Sequence, residues 1–181
     1  MTRNSKQVLL DSVVVIDAHE NQYWDALCNG YQIALPATVI EEEVFYFESS
    51  KGKKGLTPSI WIQKGLVTRI DAALTDYALL SEKLSNDFMN AIDPGEKEAL
   101  AILLSAKHKQ YSFVTADRAA IKALGILGLG YRGLSVEERL NQIGYPTARA
   151  RLQKHFTKTW FKKYLTEGFS EQVLWLKKDC S

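Results

Sequence analysis

Apolar residues in this chain fall into short β-branched runs separated by stretches of helical period. Val13-Val14-Val15-Ile16 is wholly apolar, the pattern of a strand buried on both faces, and it stops at Asp17. Tyr31–Leu35, Leu66–Ile70, Tyr111–Thr115 and Gly125–Leu129 are the further predicted strands. Helices are predicted between them. One covers Asn21–Leu27. Another starts at Thr38, which has capping-box spacing to Glu41, and carries Val39, Val44, Phe45 and Phe47. Thr57-Pro58 opens a short helix through Gln63. Asp71 opens a long one with Leu74, Tyr77, Ala78, Leu80, Leu84 and Phe88 at helical spacing. Asp93-Pro94-Gly95-Glu96, Asp117–Leu124 and Val136–Ile143 complete the set. Ser49–Gly55 is polar, basic and glycine-bearing, so a mobile loop is expected. The alternation predicts an α/β fold, a three-layer α/β/α domain with a central parallel sheet of four to five strands.

That domain should occupy residues 1–146, with 147–181 as a basic C-terminal helical extension of two helices, Thr147–Leu165 and Phe169–Lys178. Leu152, Phe156, Trp160 and Tyr164 fall at steps of four, and this stripe is expected to pack on the domain. At 181 residues, 46% hydrophobic and 24% charged, the chain has the balance of a globular protein, which excludes disorder, collagen and rod-like coiled coils. No apolar run nears the roughly 20 residues of a membrane helix, and no signal-peptide pattern precedes Val8–Ile16. Cys28 and Cys180 are too few for a disulfide scaffold or a four-ligand zinc site. A cytoplasmic protein is expected.

Net charge is +2, but its halves differ. Residues 1–90 hold 8 Lys+Arg against 12 Asp+Glu; residues 91–181 hold 15 against 9. Residues 148–178 alone carry eight basic side chains, opposed by Glu167 and Glu171. An acidic front with a basic tail suits a polyanionic partner near a cation-binding centre.

The acids sit where predicted strands end or helices begin: Asp17, the run Glu41-Glu42-Glu43, Glu96 and Asp117. In a parallel sheet these points share the edge where open α/β folds bind ligands. Carboxylates gathered there repel unless a cation lies between them, and an all-oxygen set suits Mg²⁺ or Mn²⁺ rather than Zn²⁺. Each acid also has a plain structural role open to it, as a helix cap or a solvated helix start.

The segments VVVIDAHEN, LPATVIEEEV, GEKEALAIL and SFVTADRAAIKALGI, in this order over residues 13–127, resemble the PIN-domain metal-dependent nucleases. The resemblance implies that Asp17, Glu42, Glu96 and Asp117 bind the metal, with Thr115 positioning a water or phosphate oxygen. Glu42 keeps the Pro-x-x-Val-x-x-Glu spacing from Pro36, while Glu43, directly before Val44, also fits. The implied activity is Mg²⁺- or Mn²⁺-dependent hydrolysis of RNA phosphodiesters by an endoribonuclease. Proteins of this sort are often the toxin of a toxin–antitoxin pair, so an antitoxin protein is an implied partner; the tail is not typical of minimal toxins and suits a nucleic-acid clamp or a dimer element, which would make a homodimer. Lys51, Lys53, Lys54, Arg118 and Lys122 can neutralise flanking phosphates without sequence choice. The rival reading is a nucleic-acid-binding or scaffolding module without turnover.

Other motifs carry less. Gly128-Leu-Gly130-Tyr-Arg-Gly133 matches a dinucleotide fingerprint literally but follows a fifth strand, so a glycine turn is expected. His19, His108 and His155 lack metal-ligand spacing, and no Gly-x-Ser-x-Gly elbow exists.

Overall fold

In the computed structural model, which describes residues 6–50 and 52–178, the first strand is Gln7–Leu10 (β1), and Val13–Ile16 lies inside a helix, Ser12–Glu20 (α1). This corrects the expected strand. Val8, Leu9 and Leu10 are all essentially inaccessible, so it is this run that is covered on both faces. The charge of Asp11 ends it. Beyond Asp11, burial follows a helical rhythm: Val14, Val15 and Ala18 are buried while Val13 and Ile16 are partly open. Packing of that face outweighs the weak helix preference of β-branched residues.

Helix Trp24–Gly30 (α2) leads to strand Gln32–Pro36 (β2). The predicted helix from Thr38 is a single wide turn, Val39–Glu43, after which Tyr46–Ser49 (β3) pairs antiparallel with Gly52–Gly55 (β4). Ser49–Gly55 is therefore largely a hairpin and not an open loop; Lys51 lies outside the described residues. Helix Pro58–Gln63 (α3) precedes strand Val67–Ile70 (β5). The long helix expected from Asp71 is two, Leu74–Lys83 (α4) and Asn86–Asn90 (α5), because Leu84 is extended and Ser85 caps a new start by accepting from the Phe88 amide. Asp71 does not cap; it pairs with Arg69. Helix Pro94–Leu104 (α6), strand Tyr111–Val114 (β6) and helix Arg118–Ile126 (α7) follow. The fifth strand is Gly133–Leu134 (β7), not Gly125–Leu129, which closes α7 and turns the chain. Helices Val136–Gln142 (α8) and Thr147–Ala150 (α9) precede one continuous terminal helix, Lys158–Lys178 (α10), where two were expected.

All neighbours in the main sheet are parallel, in the order β5-β2-β1-β6-β7. The chain builds outward from β1 through β2 to β5, then returns to place β6 on the other side of β1. The order thus reverses between β1 and β6, which makes their carboxyl ends the topological switch point. Alternate strand residues feed two cores. Val8, Leu10, Ile33, Leu35 and Val114 pack with α1, α2 and α8, whereas Leu9, Ala34, Tyr111 and Phe113 pack with α4, α6 and α7. Among the described residues no helix is long and apolar enough to cross a membrane.

The tail is integrated with this frame. Phe156 and Tyr164 of the predicted stripe are buried, each in a different core, and Trp160 packs beside Tyr164. Helix α10 crosses α7 with Gly168 over Gly125, and a Cβ on Gly168 would stand 2.1 Å from the Lys122 carbonyl oxygen. Gly130 and Gly133 of the literal dinucleotide fingerprint lie against Leu165, Phe169 and Phe161, so that motif seats α10. Beside it, buried Arg132 donates to the carbonyls of Leu103, His108 and Tyr111, tying the β6–β7 edge to the end of α6.

Candidate active site

Asp11 follows β1 directly, and Thr115 and Asp117 follow β6, so the parallel pairing of Leu10 with Val114 sets them side by side at the switch point. Asp11 stands at the N-cap position of α1 yet does not cap it. Its Oδ2 accepts the Thr115 hydroxyl at 2.7 Å, and Thr115 Oγ1 in turn accepts the Asp117 amide at 3.0 Å. The single hydroxyl proton of Thr115 is thus directed at Asp11, where the expected role was to position a water or phosphate oxygen. Asp117 Oδ1 accepts the Ala120 amide at 2.9 Å and starts α7.

Glu96 comes from the first turn of α6. Proline at its first position and Asp93 before it favour a helix start there, and Glu96 Oε2 accepts the Asp93 amide at 3.2 Å. Asp11, Asp93, Glu96 and Asp117 line one cleft of about 410 Å³, which Arg118, His155 and Trp160 also line. Glu43 approaches from the end of the wide turn, and its Oε1 accepts the Gly95 amide at 2.8 Å. A side chain at Gly95 would exclude it, since a Cβ there would lie 2.5 Å from Glu43 Oε1. The amide bonds to Glu43, Glu96 and Asp117 each engage one oxygen of a two-oxygen group.

The electrostatics are those of crowded, desolvated acids. Burial pushes the Asp11 carboxyl up from 3.8 to about 7, opposed by the Thr115 hydrogen bond and reinforced by the charges of Glu43 and Asp117. Burial also drives Glu96 from 4.5 to about 9, with Asp11 and Asp117 adding their repulsion. As the side chains stand, no three His, Cys, Asp or Glu groups among the described residues form a ready-made set of ligands around one point. The donor chemistry nevertheless fits a hard cation: four carboxylates gather here, and burial and mutual repulsion raise the pKa values of Asp11 and Glu96, a crowding that a bound cation would relieve.

Of the residues expected at this site, Glu96, Asp117 and Thr115 are brought together, and Arg118 borders the cleft. Asp17 is not among them. It lies in the second turn of α1, buried, its oxygens taken by the Tyr23 hydroxyl at 2.5 Å and the Asn21 amide at 2.9 Å. Asp11 occupies the place predicted for it. Glu42 is exposed, and of the three consecutive glutamates it is Glu43 that turns inward, while Glu41 pairs with Arg69. Glu98, buried two residues beyond Glu96, accepts the Thr38 and Ala72 amides and holds the ends of β2 and β5 together. Lys122 pairs with Glu171 of α10, and Arg118 lies 3.9 Å from Glu167, so the two acids of the tail engage both of these cations. Lys53 and Lys54 extend from the hairpin over the Tyr46 and Phe47 rings.

His155 and Trp160 were not foreseen at the site. The Trp160 indole donates to the Ala116 carbonyl at 3.2 Å, one residue before Asp117, which brings the tail into the wall of the cleft. No protein-family model, curated protein or solved structure matches the chain.

Proposed function

We propose that the protein is a Mg²⁺- or Mn²⁺-dependent phosphodiester hydrolase acting on RNA, a nuclease of the PIN type, with Asp11 and Glu43 as its first and second acids. One observation carries the reading: four sequence-distant segments each deliver a carboxylate, Asp11, Glu43, Glu96 and Asp117, to the sheet edge where the strand order reverses. A polyanion-binding surface gains nothing from buried acids at its centre. A cation-binding one needs them.

Asp11, Glu96 and Asp117, with Glu43 beside them, would hold the metal. When bound, such an ion lowers the pKa of a coordinated water and stabilises charge on the phosphate oxygens. The chain's own groups prepare for this. Thr115 fixes the rotamer of Asp11 and, through the Asp117 amide, couples it to the start of α7. Gly95 aligns Glu43 through its amide. Arg118, exposed on the cleft rim and stacked 4.9 Å from the Tyr164 ring, is the cation placed to meet a substrate phosphate. His155 lines the same cleft.

The test is cleavage of a fluorophore–quencher single-stranded RNA with Mg²⁺ or Mn²⁺. Wild type cuts; Asp11→Asn and Asp117→Asn fold, bind RNA at least as well, and lose at least a hundredfold in rate. Full activity in EDTA, or in both variants, ends the metal-nuclease reading. RNA binding without turnover in any divalent metal would favour the non-catalytic module.

A further inference from the structure

A second, larger cleft of about 780 Å³ opens between α1, the β3–β4 hairpin and the segment after α9. Three features converge there. His19 stacks in an aromatic cluster with Trp24 at 4.8 Å, Trp61 at 5.1 Å and Phe47 at 5.6 Å between ring centroids, and His19 and Phe47 form part of the cleft wall. The only non-glycine residues with positive φ among those described, Gln22 (φ 61°) and Arg151 (φ 48°), both line it. Side chains in that region carry a local cost, and two of them at one cleft point to a use for their placement. Lys54 and Arg151 supply charge, and Gln22 and Gln153 supply amides.

We infer that this cleft binds a nucleotide of single-stranded RNA flanking the one cut in the acidic cleft, the base stacking on Phe47, which His19 backs, and the phosphate meeting Lys54 and Arg151. The inference rests on the nuclease reading for its substrate but not for its binding measurement. An aromatic wall with amide side chains beside it suits a base, which offers a π-face and polar edges. Burial lowers the His19 pKa to about 4, so the imidazole is neutral and flat against its neighbours, and its Nε2 has no hydrogen-bond partner among the described residues. Glu20 and Glu48 also line the cleft, which balances its charge; stacking and not charge attraction therefore carries the binding. The two clefts are linked by one stretch of chain, with Arg151 and Gln153 bordering this one and His155 the acidic one. Four residues of extended chain span at most about 14 Å, a reach of a few nucleotides.

The test is fluorescence anisotropy of labelled ten-nucleotide single-stranded RNA with the full chain in EDTA, where hydrolysis does not contribute. Phe47→Ala should weaken binding about 5- to 150-fold, the range for loss of one stacked base. Arg151→Gly suits the backbone at φ 48°, so its melting temperature should equal or exceed that of wild type while RNA affinity falls and the log–log salt slope drops by about 0.7. An RNA duplex of the same length, its bases already stacked, should bind less tightly than the single strand. Wild-type affinity in both variants overturns the inference, as does equal binding of duplex, whether or not the protein cuts RNA. Equal affinity in both variants is also the result expected if the cleft takes a peptide. If Phe47→Ala fails to fold, Arg151→Gly decides alone. Cleavage that persists while these variants bind normally removes the flanking subsite and leaves the nuclease; affinity lost in both without hydrolysis in any protein does the reverse.

Discussion

Gly168→Ala probes the seam by which the tail joins the domain. The added methyl would lie 2.1 Å from the Lys122 carbonyl oxygen and 3.1 Å from Gly125 Cα. Ordinary van der Waals contact begins at 3.4 Å, so the first approach is short by about 1.3 Å. Both obstacles are backbone within a helix, and neither can swing aside, so α10 must lift from α7 along its length. Overpacking of this kind costs about 1–3 kcal/mol, and a seam of backbone on backbone belongs at the upper end. Alanine in a helix interior recovers about 1 kcal/mol over glycine. The net is a destabilisation of about 2 kcal/mol, or about 4–8 °C in melting temperature for a chain of this size. Thermal unfolding followed by circular dichroism measures it. Gly125→Ala, whose methyl would meet the Leu165 carbonyl at 2.6 Å, should cost a similar amount, and the double variant less than the sum because the helices separate once. An unchanged or higher melting temperature for Gly168→Ala would refute the packing argument and detach the tail from the domain.

Gly95→Ala should behave oppositely, because its methyl meets the movable end of Glu43 and not backbone. Stability should change by less than about 1 kcal/mol, the helix gain offsetting the lost amide bond. RNA cleavage should fall by at least tenfold as Glu43 swings out, and wild-type turnover would remove Glu43 from the site. Acids with raised pKa values favour the folded state only while protonated. The contribution of Asp11 and Glu96 is present below about pH 4 and is lost as pH rises through about 7 and then about 9. Melting temperature in EDTA should therefore decline between pH 6 and 9, less steeply in Asp11→Asn; a rise over that window would contradict the assignment. Asp17→Asn should leave RNA cleavage within about twofold of wild type while lowering stability by about 1–2 kcal/mol through its bond to the Tyr23 hydroxyl. A hundredfold loss of turnover would restore Asp17 to the centre.

The parts of the site legible in the sequence are those that rest on local signals. Asp117 and Glu96 sit at helix starts marked within three residues of themselves, by the Ala120 amide and by Asp93-Pro94. Asp11 was open to the same reading, since Val8-Leu9-Leu10 is also an apolar run that ends in an acid. Intrinsic β-preference favours a strand at Val13–Ile16, whereas burial of Val14, Val15 and Ala18 on one face makes it a helix. The choice between Glu42 and Glu43 depends on an amide 52 residues away, at Gly95, and on the wide turn that rotates three consecutive glutamates to three environments. No local pattern contains that. The same holds for His155 and Trp160, which reach the cleft because glycines 125 and 168 let α10 lie close on α7. The order of strands, and with it the switch point between β1 and β6, follows from alternation of strands and helices only as far as a parallel sheet.

The gripping of a divalent cation by buried carboxylates is tested most directly by titrating Mn²⁺ into the metal-free protein and reading free Mn²⁺ by electron paramagnetic resonance. Wild type should remove Mn²⁺ from solution saturably. Asp11→Asn and Glu96→Gln should bind at least tenfold more weakly, and Asp17→Asn should match wild type. Absence of saturable binding, or equal binding by the Asp11 and Glu96 variants, would contradict the account.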